Sequence, residues 1–455
     1  MSSRASASLV VALLATVIAS RAGAHAGSAG RGQTWLVASD IHLDPLDRRR
    51  DPSLFGSDTN LTLFRSALSE MKRAVPNPAV VLLPGDFFAH DFARVVRRHG
   101  DGSSADDEGV RTMRSIATAF ARAFPHARFA LALGNNDTPC GDYRTEFGTP
   151  YMAAVARAWA PLVNRNGAAP GFAASFARSG HYTMLLPVRH LQLVVIDDVP
   201  LAALYLGNCA TFRSNGVENE LSWLQTALSG APPGMRSVVM MHIPPGYDAM
   251  ATEETRGFVP WPFLETTADV ALLSILSAPS NRVAYALAGH AHRFDFRLDG
   301  GVPIFVFGSI SPIYHNNPTF YALDVGSDGS LRDARIYAFD EWTQAWQPPR
   351  SFDAKWRETN LGAAALARIH ARLGDDAAMR RAWDAASSGW PSNWHNAWGL
   401  WGVSWRTPWC AQTNLATGFA GCAGLTGRVT LLRIALMLAV AGAVALAVRL
   451  AQSHC

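Results

Sequence analysis

Short apolar runs recur between residues 34 and 325, and most of them stop abruptly at a polar cluster. They read TWLVASDIH, AVVLLPGDF, RFALALGNND, LQLVVIDD, RSVVMMHIPP, RVAYALAGHAH, VPIFVFGS and FYALDV. Runs of this length and β-branched content predict strands, and their unbroken apolarity predicts cover on both faces. Helix-patterned stretches such as NLTLFRSALSEMKRAV and GVRTMRSIATAFARAF lie between several of them. The alternation predicts a layered α/β fold, in which ligands bind beyond the carboxyl ends of strands. The polar clusters fall at those ends. GDGSSADDEG, residues 100–109, predicts a polar loop.

Collected in order, the clusters supply Asp40 and His42 as D-x-H, Asp86 after a glycine, Asn135 after a glycine, His242, and His290 and His292 as G-H-x-H. Oxygen and nitrogen donors on five separate strand ends can converge on one cleft. Two divalent ions about 3.5–4 Å apart need a bridging carboxylate and two mixed half-shells, and these donors suit zinc, iron or manganese. The preceding glycines allow the tight turns that aim such ligands inward.

The charges exclude one class of function. Against 40 Lys+Arg stand 36 Asp+Glu, scattered except for RRR at 48–50 and RR at 97–98, so the chain offers no nucleic-acid footprint. Residues 1–26 have the pattern of a signal peptide, with an apolar run too short to span a bilayer. Residues 429–448 are apolar except for Thr430 and Arg433, which predicts a single transmembrane helix, with a lipid-anchor signal or an amphipathic helix as the alternatives. Together these segments predict a lumenal or extracellular ectodomain, where disulfides persist. One pairing open to the five cysteines joins Cys410 to Cys422 and Cys140 to Cys209, leaving Cys455 reduced. NLT at Asn60 is a candidate glycosylation site. The expected organisation is a catalytic domain at 33–345 and a Trp- and Ala-rich helical domain at 346–425.

The ordered ligand set resembles that of the calcineurin-like metallophosphoesterases. DIHLDP, GDFFAHD, MHIPPGY and GHAHRFDF are further similar to acid sphingomyelinase and its phosphodiesterase relatives, as are PIYHNNPTFY, the WHN at Trp394–Asn396 and the C-terminal cysteine pair. The resemblance implies a four-layered α/β sandwich. It implies that Asp40, His42 and His292 hold one ion, that Asn135, His242 and His290 hold the other, and that Asp86 bridges them. Zinc is favoured by this kinship, with manganese, iron or cobalt as alternatives. Attack on phosphorus would come from a hydroxide held between the ions. His90, four residues after Asp86, matches a histidine that such enzymes place beside the leaving-group oxygen.

One position departs from the family. Most members read Gly-Asn-His followed by an acid; here the third position is Asn136, which can donate a hydrogen bond to phosphate but transfers no proton. GNND also resembles the endopolyphosphatases, whose phosphoanhydride substrates have a weakly basic leaving group, although Asn136 could instead be a packing replacement. The sequence therefore predicts a phosphodiesterase acting on sphingomyelin or a nucleotide-type diester, with polyphosphate cleavage as the alternative and a catalytically silent metal-binding receptor as the third reading. A membrane-anchored, secretory-pathway protein in a lysosome- or vacuole-like compartment is the expected setting.

Overall fold

Strand order follows the apolar runs. In chain order the strands are β1 Gln33–Val37, β2 Val80–Leu83, β3 Arg128–Leu131, β4 Tyr182–Leu185, β5 Leu191–Val195, β6 Arg236–Met240, β7 Tyr247–Asp248 and β8 Trp261–Pro262. They continue with β9 Val283–Ala288, β10 Asp295–Asp299, β11 Val302–Val306, β12 Thr319–Val325, β13 Leu331–Asp340, β14 Ala345–Trp346 and β15 Arg350–Ser351. The structure is a computed structural model that describes residues 32–99, 101–209, 220–255, 257–352, 356, 358–389, 404–432 and 434–439. The expected leader, Trp394–Asn396 and the predicted span from residue 440 onward lie outside the described residues.

Two mixed sheets result. One has the order β14-β13-β12-β1-β2-β3, with β15 also paired to β13, and the other β10-β11-β9-β6-β5-β4; β7 and β8 form a separate pair. β1, β2 and β3 run parallel, as do β5, β6, β9 and β11. Period-2 alternation divides the second sheet between two cores. Leu193, Val195, Val238 and Met240 join the large core with the first sheet, while Val194, Val239 and Met241 pack against Leu224, Leu228 and Leu272 of covering helices. The helices Leu61–Ala74 and Ala105–Ala123 add Phe64, Met71, Met113 and Phe120 to the large core. Among the described residues this is a layered α/β architecture of mixed sheets and covering helices.

Two expectations change. The polar stretch at 100–109 does not stay a loop throughout: the helix starts at Ala105, because Ser104 accepts from Asp107 N and three acids in the first turn complement the helix dipole. Asn60 is unsuited to glycosylation. It is fully buried, its Oδ1 caps the helix Leu61–Ala74 by accepting from Leu63 N at 2.9 Å, and its Nδ2 donates to Asp51 O at 2.8 Å, so the nitrogen a glycan would need is enclosed. Among the described residues no helix is long and apolar enough to cross a membrane. Residues 434–439 are helical and expose Ile434, Leu436, Met437 and Leu438.

The region after 350 is helical where described, but it shares its core with the sheets. Trp383 packs edge-on to Phe296, at 5.4 Å between ring centroids, and tilted against Trp356 at 5.2 Å. Disulfides join Cys140 to Cys209 and Cys410 to Cys422.

Candidate metal centre

The seven candidate ligands stand just beyond the carboxyl ends of β1, β2, β3, β6 and β9, and backbone bonds carry the sheet register on into those loops. His42 N donates to Asp86 O at 2.9 Å, continuing the β1–β2 pairing, and Gly289 N donates to His242 O at 2.9 Å, continuing β6–β9. The sheets are tied to each other at this edge. The Asp40 carboxylate accepts from His290 N at 3.0 Å, and His242 Nδ1 donates to Pro84 O at 2.7 Å. Five of the seven ligands, Asp40, His42, Asp86, His290 and His292, hold φ between 43 and 68°. Side chains rarely adopt that region, and its concentration here marks strain kept for a purpose.

The glycines before three ligands serve close approach. A Cβ on Gly134 would lie 2.1 Å from Asp86 Oδ1, and one on Gly289 would lie 2.1 Å from Ser39 Oγ. Only Gly85 of the three also needs positive φ, at 106°.

Two donor groups form. Among the candidate ligands, Asp40, His42 and His292 make one and Asp86, His242 and His290 make the other. Asp86 Oδ2 lies 3.3 Å from His42 Nε2 and 3.3 Å from His242 Nε2, so it faces both. Asn135 joins the second group through Oδ1, 3.1 Å from His242 Nε2. His42 Nδ1 donates to Phe88 O and His242 Nδ1 to Pro84 O, which leaves the Nε2 lone pair of each turned inward. His42 Nε2 also faces His292 Nε2 at 3.1 Å. Lone pairs and carboxylate oxygens gathered this closely need a cation between them, so the residues fit a pair of divalent ions.

Electrostatics divide the cluster. Burial pushes His42 down to about 4 and His290 to about 3, with neighbouring histidines adding to the effect, so both imidazoles are neutral as ligands must be. Burial, together with the Asp86 charge, pushes Asp40 up to about 7 against the pull of His242. His242 goes the other way: burial opposes its charged form, but Asp86 outweighs it and lifts the group to about 10. Without cations the cluster has to share protons among its own acids and bases.

The GNND stretch divides its labour. Asn135 is a donor of the second group. Asn136, 5% exposed, spends its backbone N–H on Asp86 Oδ1 at 2.8 Å and its amide on Asp86 Oδ2 at 3.1 Å, which places it behind the carboxylate that faces both groups. Asp137 is fully buried and accepts from Asp86 N at 3.0 Å, Phe87 N at 2.6 Å and Gly134 N at 2.7 Å, clamping the β2 and β3 loops together.

His90 stacks on His42 with ring centroids 4.3 Å apart. Its Nδ1 contacts Asp58 Oδ1 at 2.8 Å and its Nε2 lies 3.3 Å from the Tyr314 hydroxyl. Burial opposes the charged imidazole, but the hydrogen bond and charge of Asp58 outweigh it and hold the pKa above its ordinary value. Sequence reasoning assigned no role to Asp58, Tyr314, Asp137 or Asp198, whose carboxylate accepts from His242 N at 3.1 Å and Ile243 N at 2.9 Å. Asp137 and Asp198 carried a signal, at the ends of the apolar runs RFALALGNND and LQLVVIDD.

Residues 34–294 match the calcineurin-like phosphoesterase family, and the chain belongs to it. The family implies a site for two divalent metal ions, and the two donor groups lie where that site would be. A curated relative, the sphingomyelinase phosphodiesterase D of Dictyostelium discoideum, is 24% identical over 299 residues, covering 63% of this chain and 61% of its own length. Among solved structures, the 5'-nucleotidase precursor of Thermus thermophilus is 13% identical with a TM-score of 0.37, covering 75% of this chain and 58% of that one. The calcineurin-like phosphoesterase YfkN of Bacillus subtilis is 10% identical with a TM-score of 0.33, covering 76% of this chain and 98% of that one. The chain thus spans less than two thirds of the curated relative and of the nucleotidase.

Proposed function

We propose that this chain is a metal-dependent phosphodiesterase hydrolysing a phosphodiester such as sphingomyelin or a nucleotide-type diester. The observation that carries the reading is the Asp86 carboxylate, whose Oδ2 lies 3.3 Å from one histidine of each donor group. Asp40, His42 and His292 would hold one ion and Asn135, His242 and His290 the other, with Asp86 shared. When bound, such a pair polarises the phosphoryl group and activates water near neutral pH. The printed name of the Dictyostelium relative supports a phosphodiester substrate.

The chain's own residues supply the proton. Asp58 takes the Nδ1 side of His90, so Nε2 is the nitrogen left to face the cleft, beside the Tyr314 hydroxyl. A protonated His90 would donate from Nε2 to the leaving alkoxide. Asn136 keeps the Asp86 carboxylate oriented and transfers no proton.

A second reading rests on that same Asn136. With no histidine at this position, a substrate whose leaving group needs little protonation is served equally well, and polyphosphate is such a substrate. The address proposed with either reading is the secretory pathway, with a membrane anchor at 429–448. The N-terminal pattern and the two disulfides support that address.

The test is a paired assay of the purified protein on sphingomyelin micelles, a nucleotide phosphodiester and long-chain polyphosphate, with Asp86→Asn as the blank. Diester hydrolysis is the expected result. Polyphosphate shortening alone would transfer the assignment to the phosphoanhydride reading, and silence on all three would leave a binding protein.

A further inference from the structure

Two adjacent residues outside the family's ligand set each hold one ligand of the second donor group. Asp142 Oδ1 accepts from Asn135 Nδ2 at 2.6 Å, and the Tyr143 hydroxyl lies 3.3 Å from His290 Nε2. The first contact decides which end of the Asn135 amide faces inward. With Nδ2 turned out to Asp142, Oδ1 points to His242 Nε2 at 3.1 Å. The second contact selects a nitrogen on His290. His42 and His242 engage backbone carbonyls through Nδ1 and turn Nε2 inward, whereas His290 has its Nε2 on Tyr143, which leaves Nδ1 as the nitrogen free for an ion.

The loop that carries this pair is anchored from both sides. Tyr143 N donates to Asn135 O at 3.0 Å, and Leu206 N donates to Tyr143 O at 2.8 Å. Cys140 is joined to Cys209, and Cys209 N donates to Thr145 O at 2.8 Å. Tyr143 is itself held at φ 52°, a conformation that persists only where its surroundings impose it.

We infer that Asp142 and Tyr143 form an outer brace specific to the second half-site, fixing Asn135 to bind through Oδ1 and His290 through Nδ1. The inference rests on the metal centre proposed above. Among the described residues, neither brace residue hydrogen-bonds to the first group, Asp40, His42 and His292, so the brace acts on one ion of the two. Both are positioning residues. Removing an outer partner of a metal ligand lowers affinity about 10–100-fold.

The experiment is a titration of the chelator-stripped protein with Zn2+, followed by calorimetry and by competition with a chromophoric chelator. The wild-type protein is expected to bind two ions. Tyr143→Phe and Asp142→Ala should each weaken one of the two by about 10–100-fold and leave the other unchanged. Asp142→Asn keeps a carbonyl acceptor for Asn135 Nδ2 and should recover most of the loss. A wild-type chain that binds fewer than two ions overturns the metal centre, and the brace with it. Two ions in the wild type, with Tyr143→Phe indistinguishable from it or weakened equally at both sites, overturns the brace alone. Should Asp142→Ala fail to fold, Tyr143→Phe decides.

Discussion

Asp137 should be worth more to this protein than a ligand's neighbour would suggest, and the cost of removing it can be counted. Its Oδ2 accepts from Asp86 N and Gly134 N, and its Oδ1 accepts from Phe87 N, all inside the core. Asp137→Ala leaves three enclosed N–H groups without partners, each costing about 1–3 kcal/mol; with some relaxation the loss is roughly 3–5 kcal/mol. Asp137→Asn can place its carbonyl where Oδ2 stood and keep two bonds, but its amide then opposes Phe87 N–H, a loss of about 1–3 kcal/mol. Urea unfolding followed by tryptophan fluorescence, in the presence of a chelator, measures both without any contribution from bound ions. The order wild type, Asn, Ala is the expected result. Equal effects for the two variants, or both within about 0.5 kcal/mol of wild type, as for an ordinary surface position, would refute the clamp.

His90→Ala should slow hydrolysis of an alkyl diester by about 10²–10⁴-fold while sparing an activated aryl ester, because only the alkoxide needs a proton; equal losses in kcat on both would remove His90 from that role. Asn60→Ala should destabilise the fold by about 0.5–2 kcal/mol through loss of the helix cap, and mass spectrometry of the wild type expressed through a eukaryotic secretory pathway should find no glycan on Asn60. In the metal-free protein the contributions of His42 and His290 should be lost as pH falls from about 6.5 toward their folded values of about 4 and about 3, while Asp40, raised to about 7, opposes them by gaining stability as pH falls through that value. Folded values below the unfolded one mean that the unfolded chain binds more protons in that window. His242, raised to about 10, contributes stability that is instead lost as pH rises through that value, so the two effects occupy different windows. Denaturation midpoints at pH 7, 5 and 4 for the wild type and for His290→Ala isolate the histidine's share, and the same pH dependence in both would contradict it.

The donor set was readable before any coordinates because strands announce their own ends. An apolar run that stops at Asp40, Asp86, Asn135, His242 or His290 marks both the element and the residue beyond it. Asn60 misled because one amide serves equally as a sequon and as a helix cap, and only burial separates the two roles. Asp58, Asp142, Tyr143 and Tyr314 sit in loops with no periodicity, where nothing in the spacing points to a partner. Asp137 was visible as an oddity in GNND, but its role needed β2 and β3 side by side, and adjacency between parallel strands leaves no local trace in sequence. The region after 350 is helical where described, and its packing against β10 through Trp383 and Phe296 depends on contacts between residues far apart in the chain.

The central claim is that one cleft holds two ions bridged by Asp86. Metal content by mass spectrometry, measured on the purified wild type and on Asp86→Asn after equilibration with equal Zn2+, tests it most directly. Two ions per chain in the wild type, with at most one and no hydrolysis in the variant, is the predicted result; a variant that still holds two ions, or hydrolyses at the wild-type rate, would contradict it.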